Sequence, residues 1–466
     1  MEAYHVENFG CRASRSDGEA IAAGLRARGL SESATPDSAQ LIIVNTCSVT
    51  AEADRTARAF IRRARRRNPE AKIVVTGCYA QRAPEEMAGL DGVNAVIGNS
   101  HKSLVPQIAA GLVVQPAGAM DASVAAAQSF VPVSAIAQRR AAVYVDESFA
   151  HSELATLRFA ADAHQTRPNL KAQDGCGNRC SFCVIPATRG PSRSVPIQLC
   201  IEDVHRFVDG GGQELVLSGI NLGRWGRDLS PTQSFLDLVV AILHQTALPR
   251  LRLSSIEPMD WTPDLLAIFR EHATGPHPRL APHAHLPLQS GSDTILRKMH
   301  RRYRPWHYAE RTSAIRAALP DAAIGADIMV GFPGESDQLF QESYDFIAAQ
   351  PFTYLHLFPF SPRPGTPGWE LYRESPIPFE AVAERMAALR TLIEQKNLEF
   401  RSKFIGRQLS TVTLVTAQEV SERRSTNGIT GNFVPVEIGA KIGPNRMILV
   451  EIIGLTAQGL CGTCPA

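Results

Sequence analysis

The chain has 466 residues, 44% hydrophobic and 20% charged, with a net charge of +2. That is too long for one ordinary domain and has a globular composition, which excludes a disordered, collagen-like or strongly basic polypeptide. The opening MEAYHVENFG lacks the pattern of a secretory leader, and no apolar run approaches the ~18–20 residues that span a bilayer, so no membrane association is expected. A cytoplasmic location follows as the expectation. Thiols stay reduced there, so nine cysteines point to metal or redox chemistry and not to disulfides.

Along the first hundred residues one pattern recurs. AYHVENFGC, LIIVNTC and KIVVTGC are apolar runs ending in Cys11, Cys47 and Cys78, and a helix-like segment follows each one. Alternating strands and helices predict a parallel sheet with right-handed crossovers. Strand ends in such a sheet share one edge, where ligands bind. Sequence separations of 36 and 31 residues should therefore collapse into one cluster of thiols.

Residues 104–168 are rich in Ala and weakly periodic, and read as a connecting region containing one short strand candidate, AAVYVDESF. From 169 to about 361 the alternation returns, with six strand candidates: LKAQDGC, ELVLSGI, LRLSSIEP, HAHLPLQ, GADIMVGFP and YLHLFPFSP. Six βα units fall short of the eight of a closed barrel, so a partial (βα)6 barrel is predicted, with functional residues at the carboxyl ends of its strands. A charged helix over 379–404 precedes the β-like runs STVTLVTA, FVPVEI and RMILVEII, which read as a small C-terminal β domain. The fold class is α/β. The expected boundaries are 1–103, 104–168, 169–398 and 399–460, with a tail at 461–466.

The segment QDGCGNRCSFCVIP places Cys176, Cys180 and Cys183 within eight positions. Three thiolates spaced C-x3-C-x2-C can hold three corners of an iron–sulfur cube, leaving one iron open. A zinc knuckle completed by a distant ligand is the bland alternative. The spacing, with Phe182 before the last cysteine, resembles the signature of radical S-adenosylmethionine enzymes. In that family the open iron binds the cofactor, which is cleaved to a 5′-deoxyadenosyl radical. The second triad, Cys11, Cys47 and Cys78, is similar to that of the methylthiotransferases and implies a second 4Fe–4S cluster that supplies or carries sulfur. The resemblance further implies that Gly211, Gly212, Gln213 and Glu214 (GGQE) contact the cofactor. Ser255, Glu257, Gln289 and Asp327 are candidates to line the cofactor and substrate cavity.

Seven arginines lie between 55 and 67 with no acidic residue among them. On a helix, Arg55, Arg58, Arg62, Arg65 and Arg66 share one arc, opposite Ala57, Phe60, Ile61 and Ala64, and this arc is a candidate phosphate track. Arg189, Arg193 and the RRYR run at 301–304 would extend it, with Tyr303 and Trp225 as stacking candidates. The C-terminal β segment resembles the TRAM-type RNA-binding module. Within the family, NTCSVTAEADRTAR, GINLGRWGRDL and FPFSPRPGTP are most similar to the branch acting on threonylcarbamoyladenosine beside the tRNA anticodon. The implied reaction methylthiolates C2 of that base, and it implies an electron donor such as flavodoxin or ferredoxin and a sulfur source. Alternatives are the isopentenyladenosine branch, a ribosomal-protein substrate, or a non-catalytic iron–sulfur RNA-binding protein. Cys200 reads as core. Neither the terminal CGTC nor His277, His283 and His285 carries an assigned function.

Overall fold

The computed structural model describes residues 2–114, 141–149, 166–414 and 425–464. They form two compact units. The first holds the residues up to 149 together with 175–177 and 184–191. The second holds 166–174, 178–183 and the chain from 192 onward.

The first unit is a six-stranded parallel sheet of β1 (Ala3–Asn8), β2 (Ser31–Glu32), β3 (Leu41–Thr46), β4 (Lys72–Gly77), β5 (Val93–Gly98) and β6 (Ala142–Tyr144), ordered β2-β1-β3-β4-β5-β6. Alternate strand residues feed opposite layers, because side chains on a strand point to alternate faces. Leu41, Ile43 and Val74 pack with Ile21 and Leu25 of helix α1 (Arg12–Arg26). Ile42, Val44, Ile73 and Val75 pack with Ala57, Phe60, Ile61 and Ala64 of α2 (Ala51–Arg67). Thr50 caps α2 by accepting from the Ala53 N–H at 3.2 Å. Cys78 opens the short helix α3 (Cys78–Arg82) directly after β4. Beyond the expected boundary at 103, helix α4 (Val105–Gly111) and β6 still pack on this sheet. The rest of the expected connecting region lies mostly outside the described residues. A later segment, the short helix α5 (Ile185–Arg189), also belongs to this unit.

In the second unit, β7 (Asn169–Asp174), β9 (Glu214–Gly219) and β10 (Arg250–Leu253) run parallel, and β8 (Arg193–Ser194) pairs antiparallel with β7. A second parallel group is β11 (His283–His285), β12 (Ala323–Val330) and β13 (Tyr354–Pro359). Leu251 pairs with Leu280 and the Ile256 N–H reaches the His285 carbonyl at 3.0 Å, so β11 follows β10. Six parallel strands thus form an open arc.

The long helix α6 (Phe379–Ser402) crosses the expected boundary at 398 and leads into a closed five-stranded barrel, β14-β15-β16-β18-β17. Its strands are β14 (Gln408–Thr413), β15 (Thr426–Thr430), β16 (Pro435–Ile438), β17 (Met447–Leu455) and β18 (Leu460–Thr463). The expected tail at 461–466 is corrected in part: Cys461 lies inside β18, which bridges β16 and β17. A short apolar-and-glycine run was illegible as a strand because its partners supply the pairing.

The barrel of parallel strands is sealed at its amino end. Glu214, the first residue of β9, has no solvent exposure. It accepts from Arg167 Nε at 2.7 Å, Arg252 Nε at 2.7 Å and Arg250 Nη1 at 3.3 Å. Burial alone would raise its pKa, but Arg252, Arg167 and Arg250 overcome that and hold it well below the carboxylate range. Arg252 also donates to the Thr430 carbonyl at 3.1 Å, and Arg250 donates to Ser410, so the cage fastens the C-terminal barrel in place. Phe433 of that barrel sits 5.2 Å from the Arg252 guanidinium and 4.8 Å from the His283 ring.

Removing one partner of such a buried set is expected to destabilise strongly. Glu214→Gln should lower unfolding stability by about 3–5 kcal/mol, read from urea midpoints. Folding lowers this pKa, so its contribution should be complete above the unfolded value of about 4.3 and fade as pH falls below it.

Candidate functional site

In the first unit three thiols gather at the carboxyl ends of β1, β3 and β4. Cys11 is exposed, while Cys47 and Cys78 are buried. Gly10 has φ +106°, and a Cβ there would lie 2.4 Å from Cys47 Cβ, so only glycine permits this approach. Burial, with Cys78 and Cys11 nearby, pushes the Cys47 thiol up to about 12. The Cys78 sulfur accepts from Asn99 Nδ2 at 3.4 Å, and Cys11 Sγ lies 3.7 Å from Ser14 Oγ. Three soft sulfur donors without a carboxylate suit iron–sulfur ligation, with the thiol protons displaced on binding.

In the second unit the carboxyl ends of the strands carry the candidate polar residues. Ser255 Oγ lies 2.6 Å from His285 Nδ1. Asp327 Oδ1 lies 3.2 Å from His356 Nδ1 and 3.5 Å from His285 Nε2. Burial raises the Asp327 pKa, but His356 and His285 outweigh it and hold the carboxyl low. The Tyr354 ring stacks on His285 at 5.8 Å, and Gly325 makes room for it, since a Cβ there would meet the ring at 2.0 Å. Gln289 adopts φ +70°, and its N–H bonds to the Asp327 carbonyl at 2.7 Å. Glu257 accepts from Arg301 Nη2 at 2.5 Å, and Arg301 Nη1 donates to Cys180 Sγ at 3.2 Å. Burial opposes the Arg301 charge, and Tyr303, Glu257 and Cys180 sustain it.

Cys176, Cys180 and Cys183 all lie on the loop between β7 and β8. The Cys176 N–H bonds to the Gly190 carbonyl at 3.1 Å, and the Cys183 N–H bonds to the Cys180 carbonyl at 3.1 Å. Ser181 anchors the second half of the loop by donating its hydroxyl to the Lys298 carbonyl at 2.7 Å. Phe182 packs against Ile295, Met299 and Phe332. The soft donors, with a guanidinium on one of them, fit an anionic iron–sulfur cluster.

Several sequence expectations are corrected. Gly211, Gly212, Gln213 and Glu214 stand at the amino end of β9, opposite the carboxyl edge, and Glu214 is consumed by its three arginines. The apolar run ELVLSG starts the strand at Glu214, so the motif before it cannot reach a ligand at the other end. Arg189 is only 1% exposed and pairs with Asp17, so it is no phosphate contact. Tyr303 and Trp225 are buried, which removes both stacking candidates, and within the RRYR run Arg301 is tied to Glu257 and Arg304 to Asp293, whereas Arg302 is exposed.

The arginine arc divides. Arg55 pairs with Glu52, Arg58 with Tyr79 and Glu86, and Arg65 with the Pro69 carbonyl, whereas Arg62 and Arg66 are exposed. The neutralising carboxylates come from outside the run, so its own composition gave no warning. Arg193 is half-buried on β8, its backbone paired with Asp174. His285 and His356 were missed as site residues. Their signal was alternation along HAH and YLHLF, which places each on the inner face with Asp327.

Residues 3–98 match the uncharacterized protein family UPF0004, and residues 170–347 match the radical SAM superfamily. The chain is 32% identical to threonylcarbamoyladenosine tRNA methylthiotransferase MtaB of Bacillus subtilis (strain 168), over 97% of this chain and 93% of that protein. The chain belongs to the MtaB-like radical S-adenosylmethionine methylthiotransferase family. The protein of the same name from Thermotoga maritima is also 32% identical, over the whole of both chains. The tRNA-2-methylthio-N(6)-dimethylallyladenosine synthase of Acidothermus cellulolyticus is 32% identical over 92% of this chain and 80% of that one. The radical S-adenosylmethionine methyltransferase TsrM of Kitasatospora setae shares the fold, with a TM-score of 0.56 at 13% identity over 79% of this chain and 75% of that one. Family membership implies S-adenosylmethionine and a 4Fe–4S cluster. No described helix is long and apolar enough to cross a membrane.

The guanidinium of Arg301 touches both the Cys180 thiol and the Glu257 carboxylate. Arg301→Met is expected to cut reductive cleavage of S-adenosylmethionine at least about tenfold. The same change at exposed Arg302 should stay within about twofold. Release of 5′-deoxyadenosine under dithionite measures both.

Proposed function

We propose that this enzyme adds a methylthio group to C2 of N6-threonylcarbamoyladenosine next to the tRNA anticodon. The observation that carries the reading is the doubling of an incomplete thiol set. Three cysteines close a parallel-sheet edge in one unit, and three more lie on the loop after β7. Each set stops one short of four. The full-length similarity to proteins bearing that activity in their names supports the same reading.

Cys176, Cys180 and Cys183 would hold the cluster that binds S-adenosylmethionine, and Cys11, Cys47 and Cys78 a second 4Fe–4S cluster. When bound, the first cluster and its cofactor supply one-electron chemistry able to remove hydrogen from an unactivated carbon. The chain's own residues orient the partners. Arg301 fixes Glu257 and Cys180 together. Ser255, His285, Asp327 and His356 offer hydrogen-bonding groups to a purine edge. Arg62 and Arg66 present charge to phosphate. An anticodon-loop base leaves its stack at low cost, which suits an inner polar wall. An electron donor such as flavodoxin or ferredoxin, and a sulfur source, complete the system.

Nucleoside mass spectrometry of tRNA from a strain lacking the gene tests the assignment. Loss of the methylthio derivative, with its unthiolated precursor accumulating, is expected. Loss of the isopentenyl counterpart instead would move the protein to the sister branch, whose member is equally similar in identity. No change in either nucleoside would overturn the tRNA reading. Iron should measure about eight atoms per chain and fall to about four when either cysteine triad is changed to alanine. The Arg62→Ala/Arg66→Ala variant should bind tRNA with a salt slope smaller by about one for each phosphate it no longer neutralises.

A further inference from the structure

Three adjacent strands of the second unit bring three donor atoms together. His285 ends β11, and Asp327 and His356 lie within β12 and β13. His285 pairs in register with Gly325, and Asp327 with His356. Asp327 follows Gly325 by two residues, so all three side chains share one face of the sheet. The atoms they offer lie within 4.8 Å of one another. The backbone ladder itself sets this convergence.

The separations distinguish a hydrogen-bonded group from a ligand set. An N–H···O hydrogen bond measures about 2.7–3.2 Å. Donor atoms on one tetrahedral ion, each about 2.0–2.2 Å from it, stand about 3.3–3.5 Å apart. Asp327 Oδ1 lies 3.5 Å from His285 Nε2 and 3.2 Å from His356 Nδ1. The longer contact is beyond good hydrogen bonding and matches ligand spacing, and the shorter falls at the edge of both. Ser255 Oγ lies 2.6 Å from the other His285 nitrogen, as the outer partner of a metal-bound imidazole does. Burial pushes the Asp327 carboxyl up, yet His356 and His285 hold it low, so it offers an anionic oxygen. Side-chain exposure rises from 6% at His285 through 22% at Asp327 to 48% at His356, so the set is open on one side.

Two imidazoles and one carboxylate with open positions suit borderline divalent ions. We propose that His285, Asp327 and His356 bind one divalent cation, zinc, ferrous iron or manganese, separate from both iron–sulfur clusters. Its remaining positions take water or an oxygen of the substrate. A purine edge then meets those oxygens in place of the imidazoles, while Ser255 is a positioning residue that orients His285. The inference depends neither on which nucleoside is modified nor on how the six cysteines hold iron.

The test uses the reconstituted holoenzyme, with its clusters oxidised and so diamagnetic. Loose metal is removed on a chelating resin, retained zinc is counted by elemental analysis, and manganese(II) is titrated while EPR reads the free ion. Retained zinc and bound manganese should sum to one per chain, and electron spin echo modulation should show imidazole nitrogen on the bound manganese. His356→Ala and Asp327→Asn should each weaken binding at least about tenfold, and His356→Ala should reduce the nitrogen modulation. Ser255→Ala should weaken binding about tenfold with all three ligands in place. His277→Ala, at an exposed histidine, should change nothing. Should Asp327→Asn fail to fold, the half-exposed His356 carries the comparison.

A parent that holds no more manganese or zinc than His356→Ala would overturn the inference and leave a hydrogen-bonded trio. So would bound manganese without nitrogen coupling, or an equal loss in His277→Ala, which would mark adventitious binding.

Discussion

A carboxylate cut off from water needs opposite charge in contact with it, and Glu214 obtains it from Arg167, Arg250 and Arg252. Those three arginines arrive from the start of β10 and from the segment before β7. Two of them continue to Thr430 and Ser410 of the C-terminal barrel. One buried charge thus sets where the parallel strands begin and which module covers their amino end. Above it lie His283 and Phe433, then Tyr354 and His285, then Asp327 and His356. The layers grow more polar toward the carboxyl edge, as a ligand-binding barrel requires.

The first unit solves a different problem. Its strands are apolar on both faces, so helices must cover both, and the polar chemistry is displaced to the strand ends. Cys11, Cys47 and Cys78 occupy those ends. Gly10 lets the backbone come close enough for the first to join the others. The surrounding donors, Asn99, Ser14 and Arg189, come from three separate stretches of chain.

Much of this was readable from residue order. Helix α2 spans Ala51–Arg67, and the apolar runs of LIIVNTC and KIVVTGC foretold β3 and β4, because a strand buried on both faces is apolar almost throughout. The cysteine spacings were equally plain. What stayed hidden depends on partners remote in sequence. GGQE looked like a ligand motif, yet Glu214 is claimed by arginines 36 and 38 residues away. The run of arginines looked unopposed, yet Glu86 lies 28 residues beyond Arg58. His356 gave only a strand position. Its value appeared when β13 set it against Asp327.

The fastening of the C-terminal barrel has a consequence for how a large substrate would be held. A module on a flexible linker searches for its ligand and lends it a high effective concentration, at the expense of ordering on each capture. Hydrogen bonds from buried Arg250 and Arg252, and the Phe433 ring under Arg252 and Arg167, forbid that search here. The β barrel and the polar edge of the parallel strands act as one preorganised body, separated by a fixed span. A polynucleotide that touches both must match that span with its own bend. Selectivity then resides in the shape of the nucleic acid as well as in the base it presents.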